Sequence, residues 1–298
     1  MHIPEYLLKG SVCPVSAAMG IAGVIATTYF VFKSKEKIDI LKFGIITSFV
    51  FLLQMLNFPI SGGTSGHFLG VAFLIFLLGI PYGILSMSII LAIQAIVFAD
   101  GGLTTLGANI FNMAIAGAIP VILLYNYKSN KFIIFLSSVL SILFASLSCS
   151  VFLSISYPEN TLRIFSSMMG IHSLISIFEG IITIVALLSF SFIFENISST
   201  PAKYLSVAGL FIVFLLLTPF ASNLPDGLEW VAEKYNLLKE NEPLFVALIP
   251  DYSFKGIQNE ILSTILAGTA GILITLLISS VMMLILKAKQ VKKSIQGA

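Results

Sequence analysis

The chain has 298 residues, 57% of them hydrophobic and only 10% charged, with a formal net charge of +2. Soluble domains carry about 25% charged residues, and the mean hydropathy here is +1.03, so a soluble globular domain is excluded. The small net charge gives no indication of a nucleic-acid partner.

The opening MHIPEYLLKG precedes the first apolar run, and the basic cluster Lys33, Lys35, Lys37 and Lys42 follows it. A signal peptide has the reverse charge order, with small residues at a cleavage site. The segment is therefore expected to stay attached, with Met1 on the outer side. Apolar runs between polar breaks predict about nine spans: 12–32, 40–56, 67–80, 82–98, 109–126, 132–155, 165–194, 204–221 and 261–286. Each is read against a hydrocarbon core of about 30 Å. Only Pro81 and Tyr82 separate the short third and fourth runs, so a tight hairpin or broken helices are alternatives there. The expected fold class is all-α, a polytopic membrane helix bundle. A composition shift near 200 divides it into a seven-span body, 1–200, and a two-span segment, 201–298. Between the last two spans, residues 222–260 are polar and acidic, begin with PDGLEW and hold the single Trp230. They are expected to form an external cap.

Basic residues concentrate on cytoplasmic loops. With residue 1 outside, Lys33, Lys35, Lys37, Lys42, Lys128, Lys131, Lys203, Lys287, Lys289, Lys292 and Lys293 fall inside, eleven of the 16. Ten of the 14 acidic residues fall outside, while Glu36, Asp39 and Glu195 are inside. The chain is thus expected in the cell membrane with its N-terminus outside and its C-terminus in the cytoplasm.

Two external segments, 57–67 (NFPISGGTSGH) and 99–109 (ADGGLTTLGAN), carry three glycines each beside a histidine and an aspartate. An ordinary turn needs one. Glycine permits positive φ and close backbone approach, as irregular backbone lining a site requires.

No G-x-x-x-x-G-K-[ST] phosphate loop occurs, so any ATP hydrolysis must come from another chain. No reactive Ser-His-Asp or paired-carboxylate arrangement is placed for catalysis, so an enzyme is not expected. The two cysteines, Cys13 and Cys149, lie in apolar surroundings without C-x-x-C spacing and read as packing residues.

His2 directly follows Met1. A bulky second residue disfavours removal of the initiator, leaving the Met1 amine free. That amine and the His2 main-chain nitrogen would close a five-membered ring on a metal, and His2 Nδ1 a six-membered ring. A fourth nitrogen would complete a square plane, which suits Ni(II) or Cu(II). His67, on the same outer side, is the natural fourth donor. The alternatives are a frayed terminus for His2 and a capping or packing role for His67. His172 and Glu179 lie seven positions apart on one face of the seventh span. They are functional candidates or a buried pair locking helices. Ala18 with Ala22, and Gly20 with Gly23, would allow close helix contact, internal or with a partner.

MHIPEY, NFPISGGTSGHFLG, FADGGLTTLGANIFNM and GIHSLISIFEG, in this order over residues 1–180, resemble the nickel/cobalt substrate-specific subunits of energy-coupling-factor transporters, the CbiM/NikM family. From about 204 onward, with PDGLEW, the chain resembles the two-span companion subunit fused to some members. The resemblance implies that Met1, His2 and His67 hold the metal through four nitrogens. It also implies a transmembrane coupling subunit and paired cytoplasmic ATPases as partners. Asp100 and Asn109, in the second glycine-rich motif, are placed around those ligands. The function implied is uptake of Ni(II) or Co(II) as substrate, with no resident cofactor. Cobalt uptake for cobalamin synthesis is the alternative, and a proton-coupled secondary transporter using Glu179 and His172 the reading from another class.

Overall fold

The computed structural model describes residues 1–34, 38–238 and 246–296, with side chains as far as residue 289. Lys35, Glu36 and Lys37, all expected on the cytoplasmic side, lie outside the described residues, as do the side chains of Lys292 and Lys293 and residues 239–245 of the 222–260 loop.

Helix α1 (Val12–Lys33) leads to α2 (Ile40–Gln54), then to a hairpin of β1 (Phe58–Ile60) and β2 (Thr64–Gly66). After it come α3 (Val71–Leu78), α4 (Ile80–Phe98), α5 (Leu106–Tyr127) and α6 (Lys131–Ser156). The chain closes with α7 (Thr161–Asn196), α8 (Thr200–Leu217), the short α9 (Gly227–Lys234) and α10 (Glu260–Gln296). Among the described residues seven helices are long and apolar enough to cross a membrane: α1, α4, α5, α6, α7, α8 and α10. The architecture is an all-α membrane bundle. Wide-turn π segments at Gln94–Phe98 and Ile110–Ala116 break the regularity of α4 and α5, and such bulges gather at functional sites.

The predicted third span, 67–80, is not one crossing helix. Residues 67–70 are irregular and α3 has only 8 residues. Gly79, with φ 85° and ψ 160°, then turns the chain directly into α4. A Cβ on Gly83 would stand 2.6 Å from the Ile75 nitrogen, so α3 and α4 fold against each other as a hairpin. Unpaired main-chain N–H groups are costly away from water. The Glu179 carboxylate, on α7, accepts the N–H groups of Leu69 (2.7 Å) and Gly70 (2.8 Å) at the start of α3. Apolar composition alone marks this stretch as a span; the glycine turn and the buried carboxylate make it half of one.

Glycines set the tightest crossings. A Cβ on Gly20 would lie 2.3 Å from the Gly107 carbonyl oxygen, and one on Gly23 would meet the Ile115 side chain, so this pair seats α1 on α5. Ala18 and Ala22 face outward instead. Helix α10 docks on α2 the same way: Gly44 meets Ser280 and Leu276, and Gly271 meets the Phe51 ring. By contrast α8 buries only Val207 and presents Leu205, Ile212, Val213 and Leu216 outward, an apolar surface suited to lipid.

Candidate metal centre

The first five residues run into the bundle rather than away from it. Met1, His2 and Ile3 are only 4%, 8% and 0% exposed. The second glycine-rich segment grips this tail through the main chain. Asn109 Oδ1 accepts the Ile3 N–H (2.8 Å), and the Ile3 carbonyl accepts from Thr105 Oγ1 (2.6 Å), Gly102 N (2.9 Å) and Asn109 Nδ2 (3.2 Å). The Glu5 carboxylate in turn accepts the N–H groups of Leu103 and Thr104 and the Thr104 hydroxyl. Such approach leaves no room for side chains. A Cβ on Gly102 would lie 2.6 Å from the Glu5 nitrogen, and one on Gly101 would lie 2.8 Å from Asn109 Nδ2 and 3.3 Å from the His2 Cβ.

Inside, the Met1 amine stands 2.9 Å from His67 Nε2, and the His2 and His67 rings stack with centroids 5.2 Å apart and planes 16° apart. His67 Nδ1–H donates to the Phe68 carbonyl (3.1 Å), which leaves the Nε2 lone pair facing the amine. A second set of bonds sets the other imidazole. The Leu69 carbonyl can only accept, so Gln54 turns its Nε2 there (2.7 Å); Gln54 Oε1 then accepts from Gln94 Nε2 (2.9 Å), and Gln94 Oε1 faces His2 Nε2 (3.1 Å). Read along this chain, the proton of His2 belongs on Nε2 and its lone pair on Nδ1. Burial lowers the His2 pKa to about 4 and outweighs the Asp100 carboxylate, so the ring is neutral. His2 Nδ1 lies 3.2 Å from Asp100 Oδ1, whose Oδ2 accepts from the Tyr252 hydroxyl (2.6 Å).

The last member comes from the other end of the chain. Asp226, the N-cap of α9, accepts the Leu228 and Glu229 N–H groups on Oδ1 (2.7 and 2.9 Å) and the Met1 amine on Oδ2 (2.6 Å). Burial alone would favour its neutral acid, but the Met1 amine holds its pKa well below the ordinary carboxylate range. A cavity of about 420 Å³ leads to His2 and His67 past Asp100, Asp226, Glu229 and Asp251. Among the described residues no group of three His, Cys, Asp or Glu side chains converges as a metal site. The converging donors are two imidazoles and the nitrogen at the start of the chain.

Residues 2–193 match the family described as cobalt uptake substrate-specific transmembrane region, and residues 202–288 match the PDGLE domain. The chain belongs to this cobalt uptake family. It is 32% identical over 291 residues to the "Putative fused nickel transport protein NikMN" of Archaeoglobus fulgidus, covering 93% of this chain and 96% of that one. To the cobalt transport protein CbiM of Lachnoclostridium phytofermentans it is 32% identical over 203 residues, covering 63% and 81%. The crystal structure of a transition metal transporter, 29% identical, superposes with a TM-score of 0.58 over 66% of this chain and 95% of that one. These relatives are metal transport proteins, not enzymes. This chain is accordingly a multi-pass membrane protein of a nickel and cobalt transport family.

For a member of this family, the sequence expectations sort cleanly on the structure. Met1, His2 and His67 come together, Asp100 touches His2, and Asn109 holds the main chain next to it. His172 and Glu179 do share a face of α7 but serve different partners. Glu179 fixes the main chain two and three residues after His67. His172 donates from Nδ1 to the Met168 carbonyl (2.7 Å) and lines a narrow cleft with Met1, His67 and Asp226. Cys13 bonds Thr104 O, Cys149 is buried, and both are free thiols. Sequence reasoning missed Gln54, Gln94 and Asp226. A polar amide inside each of two apolar spans was the available signal for the glutamines. For Asp226 it was the D-x-x-E spacing of a capping box, which says nothing about a contact 225 positions away.

Proposed function

We propose that this chain is the metal-capturing subunit of an energy-coupled importer, holding Ni(II) through the Met1 amine, the His2 main-chain nitrogen, His2 Nδ1 and His67 Nε2. The observation that carries this reading is the 2.9 Å between the Met1 amine and His67 Nε2. Nitrogens bound at about 2.0–2.1 Å and 90° apart stand about 2.9 Å from each other, the spacing of neighbouring corners in a square plane. A neutral His2 with its lone pair on Nδ1 supplies the next corner. Nickel is favoured over cobalt because planar nitrogen coordination suits it, and because the Archaeoglobus relative aligned over both units is named for nickel. Loading removes a proton from the amine and one from the His2 amide, so affinity rises with pH.

The remaining parts of the reading follow from what the chain lacks and how it is organised. ATPases and a membrane coupling subunit, the partners implied by the resemblance to energy-coupling-factor subunits, supply the drive, since these 298 residues hold no phosphate loop of their own. The body, 1–200, carries the imidazoles, and the companion segment, 201–298, lays PDGLE against them. The cargo enters from the face that holds Met1, placed outside the cell membrane by the positive-inside bias.

Isothermal titration of the full chain with Ni(II) and Co(II), with intact mass confirming Met1 as first residue, tests this directly. Wild type should bind one nickel per chain and give a yellow, diamagnetic complex, while His2→Ala, His67→Ala and an uncleaved N-terminal tag should each abolish high-affinity binding. Unchanged affinity in the tagged chain overturns the terminal chelate. Reconstituted alone in liposomes, the chain should sustain no uptake under an ion gradient; sustained uptake would make it a secondary carrier instead.

A further inference from the structure

The PDGLE turn reaches the Met1 amine through Asp226 Oδ2, and that atom is placed by two independent constraints. Main-chain pairing docks the turn on the first glycine-rich segment: Ser65 N–H donates to Pro225 O (2.9 Å), Ser65 Oγ to Leu224 O (2.8 Å) and Thr64 Oγ1 to Pro225 O (3.0 Å). Ser65 and Asp226 form a parallel bridge two residues before His67. Gly227 lets the turn sit this low, since a Cβ there would lie 2.9 Å from Ile171 Cγ2 and 3.0 Å from His172 Cε1. The capping box then orients the carboxylate. Oδ1 is committed to the Leu228 and Glu229 N–H groups, and the Asp226 N–H is committed to Glu229 Oε2 (2.9 Å). Only Oδ2 is left, and it points at the Met1 amine.

We propose that Asp226 is a positioning residue that clamps the start of the chain in the metal centre, so that the companion segment completes the site built by the body. This rests on the reading of Met1 as a ligand. An amine bound to a metal keeps N–H groups, so Oδ2 can accept from it in the empty and the loaded forms alike. Partners of this kind, bonded to ligands rather than to metal, orient them and raise their basicity. Without the clamp, the tail holds its place through Ile3 and Glu5, but the amine is free to swing out of the plane.

Helix capping and clamping can be separated by substitution. Asn and Ser are as good as Asp at an N-cap, so Asp226→Asn and Asp226→Ser preserve α9. With Oδ1 of the asparagine still serving the cap, its NH₂ group faces the Met1 amine, donor against donor. The serine has no second acceptor to offer. The experiment uses the full chain in detergent, without metal, and follows acylation of the Met1 amine by an N-hydroxysuccinimide ester at neutral pH by peptide mass spectrometry. Nickel affinity by calorimetry is the second readout, with circular dichroism to check folding. Both variants should label at least tenfold faster than wild type and bind nickel about 10- to 100-fold more weakly. If both label at the wild-type rate, Asp226 is a helix cap only and the proposal is overturned. If they label faster while wild type itself binds no nickel, the clamp stands and the four-nitrogen reading falls.

Discussion

The two glycine-rich segments carry three glycines each and line one cavity, but most of those glycines serve different physical ends. In 57–67, Gly62 (φ 96°) and Gly63 (φ 77°) form the tip of the β1–β2 hairpin, and a Cβ on either would meet nothing within 4 Å. These two glycines are conformational: they permit a backbone that L side chains resist, whereas the third, Gly66, is needed for space, since a Cβ there would lie 2.7 Å from Ile175 Cγ1. In 99–109 the requirement is steric. Gly102 has an ordinary φ but sits on the Glu5 nitrogen, and a Cβ on Gly107 would lie 2.4 Å from the Ala17 Cα. Gly101 combines both, with φ 85° and the His2 Cβ beside it. One segment presents His67 just past the end of its hairpin; the other closes over the tail and leaves it no slack.

That contrast can be broken experimentally. The largest effect is expected for Gly102→Val, whose side chain would collide with the Glu5 main chain and displace the tail. Nickel binding should disappear by calorimetry while circular dichroism stays helical; a wild-type affinity would show that the tail is not held by close approach. Next is Gln94→Leu, which cuts the relay from Leu69 to His2 and frees the imidazole to take either tautomer. A 10- to 100-fold weaker affinity is expected, against none for a glutamine that only packs.

Acid should act on the tail before it acts on the bundle. His2 has a pKa of about 4 in place and about 6.5 when free. Docking is therefore at full strength above pH 6.5 and weakens as the pH falls toward 4, by about 2 kcal/mol at pH 5. Hydrogen exchange comparing pH 7.5 with pH 5, corrected for intrinsic rates, should show residues 2–6 losing protection while the helix cores keep theirs. Smallest is Gly62→Ala at the open hairpin tip. It should cost about 1 kcal/mol of stability through its positive φ and leave nickel affinity unchanged, whereas a loss of affinity would mean that the tip, too, closes on the site.

The contrast also shows how far residues can be read without coordinates. Composition identifies both segments as irregular backbone near a site, because three glycines in eleven positions exceed what a turn needs. It does not distinguish glycines needed for φ from glycines needed for space. The same limit explains α3. An apolar run of the right length reads as a crossing helix, but Gly79 and the carboxylate of Glu179, a hundred positions further on, decide that it is an eight-residue arm. Gln54 and Gln94 were visible as polar side chains in apolar spans. Their direction was not, because it descends from a carbonyl that only the packed bundle places beside Gln54.

What the sequence determined by itself is everything that follows from solvent and from local covalent geometry. It set a membrane bundle, the order of its helices, and a Met-His start whose adjacent nitrogens can chelate. Tertiary structure alone decided that residue 226 joins residues 1 and 67, and the polarity that runs through Gln54 and Gln94 to His2. The reason is physical: hydropathy and chelate rings depend on neighbours along the chain. A carboxylate 225 positions away reaches an amine only after helix packing has removed the freedom of everything between them.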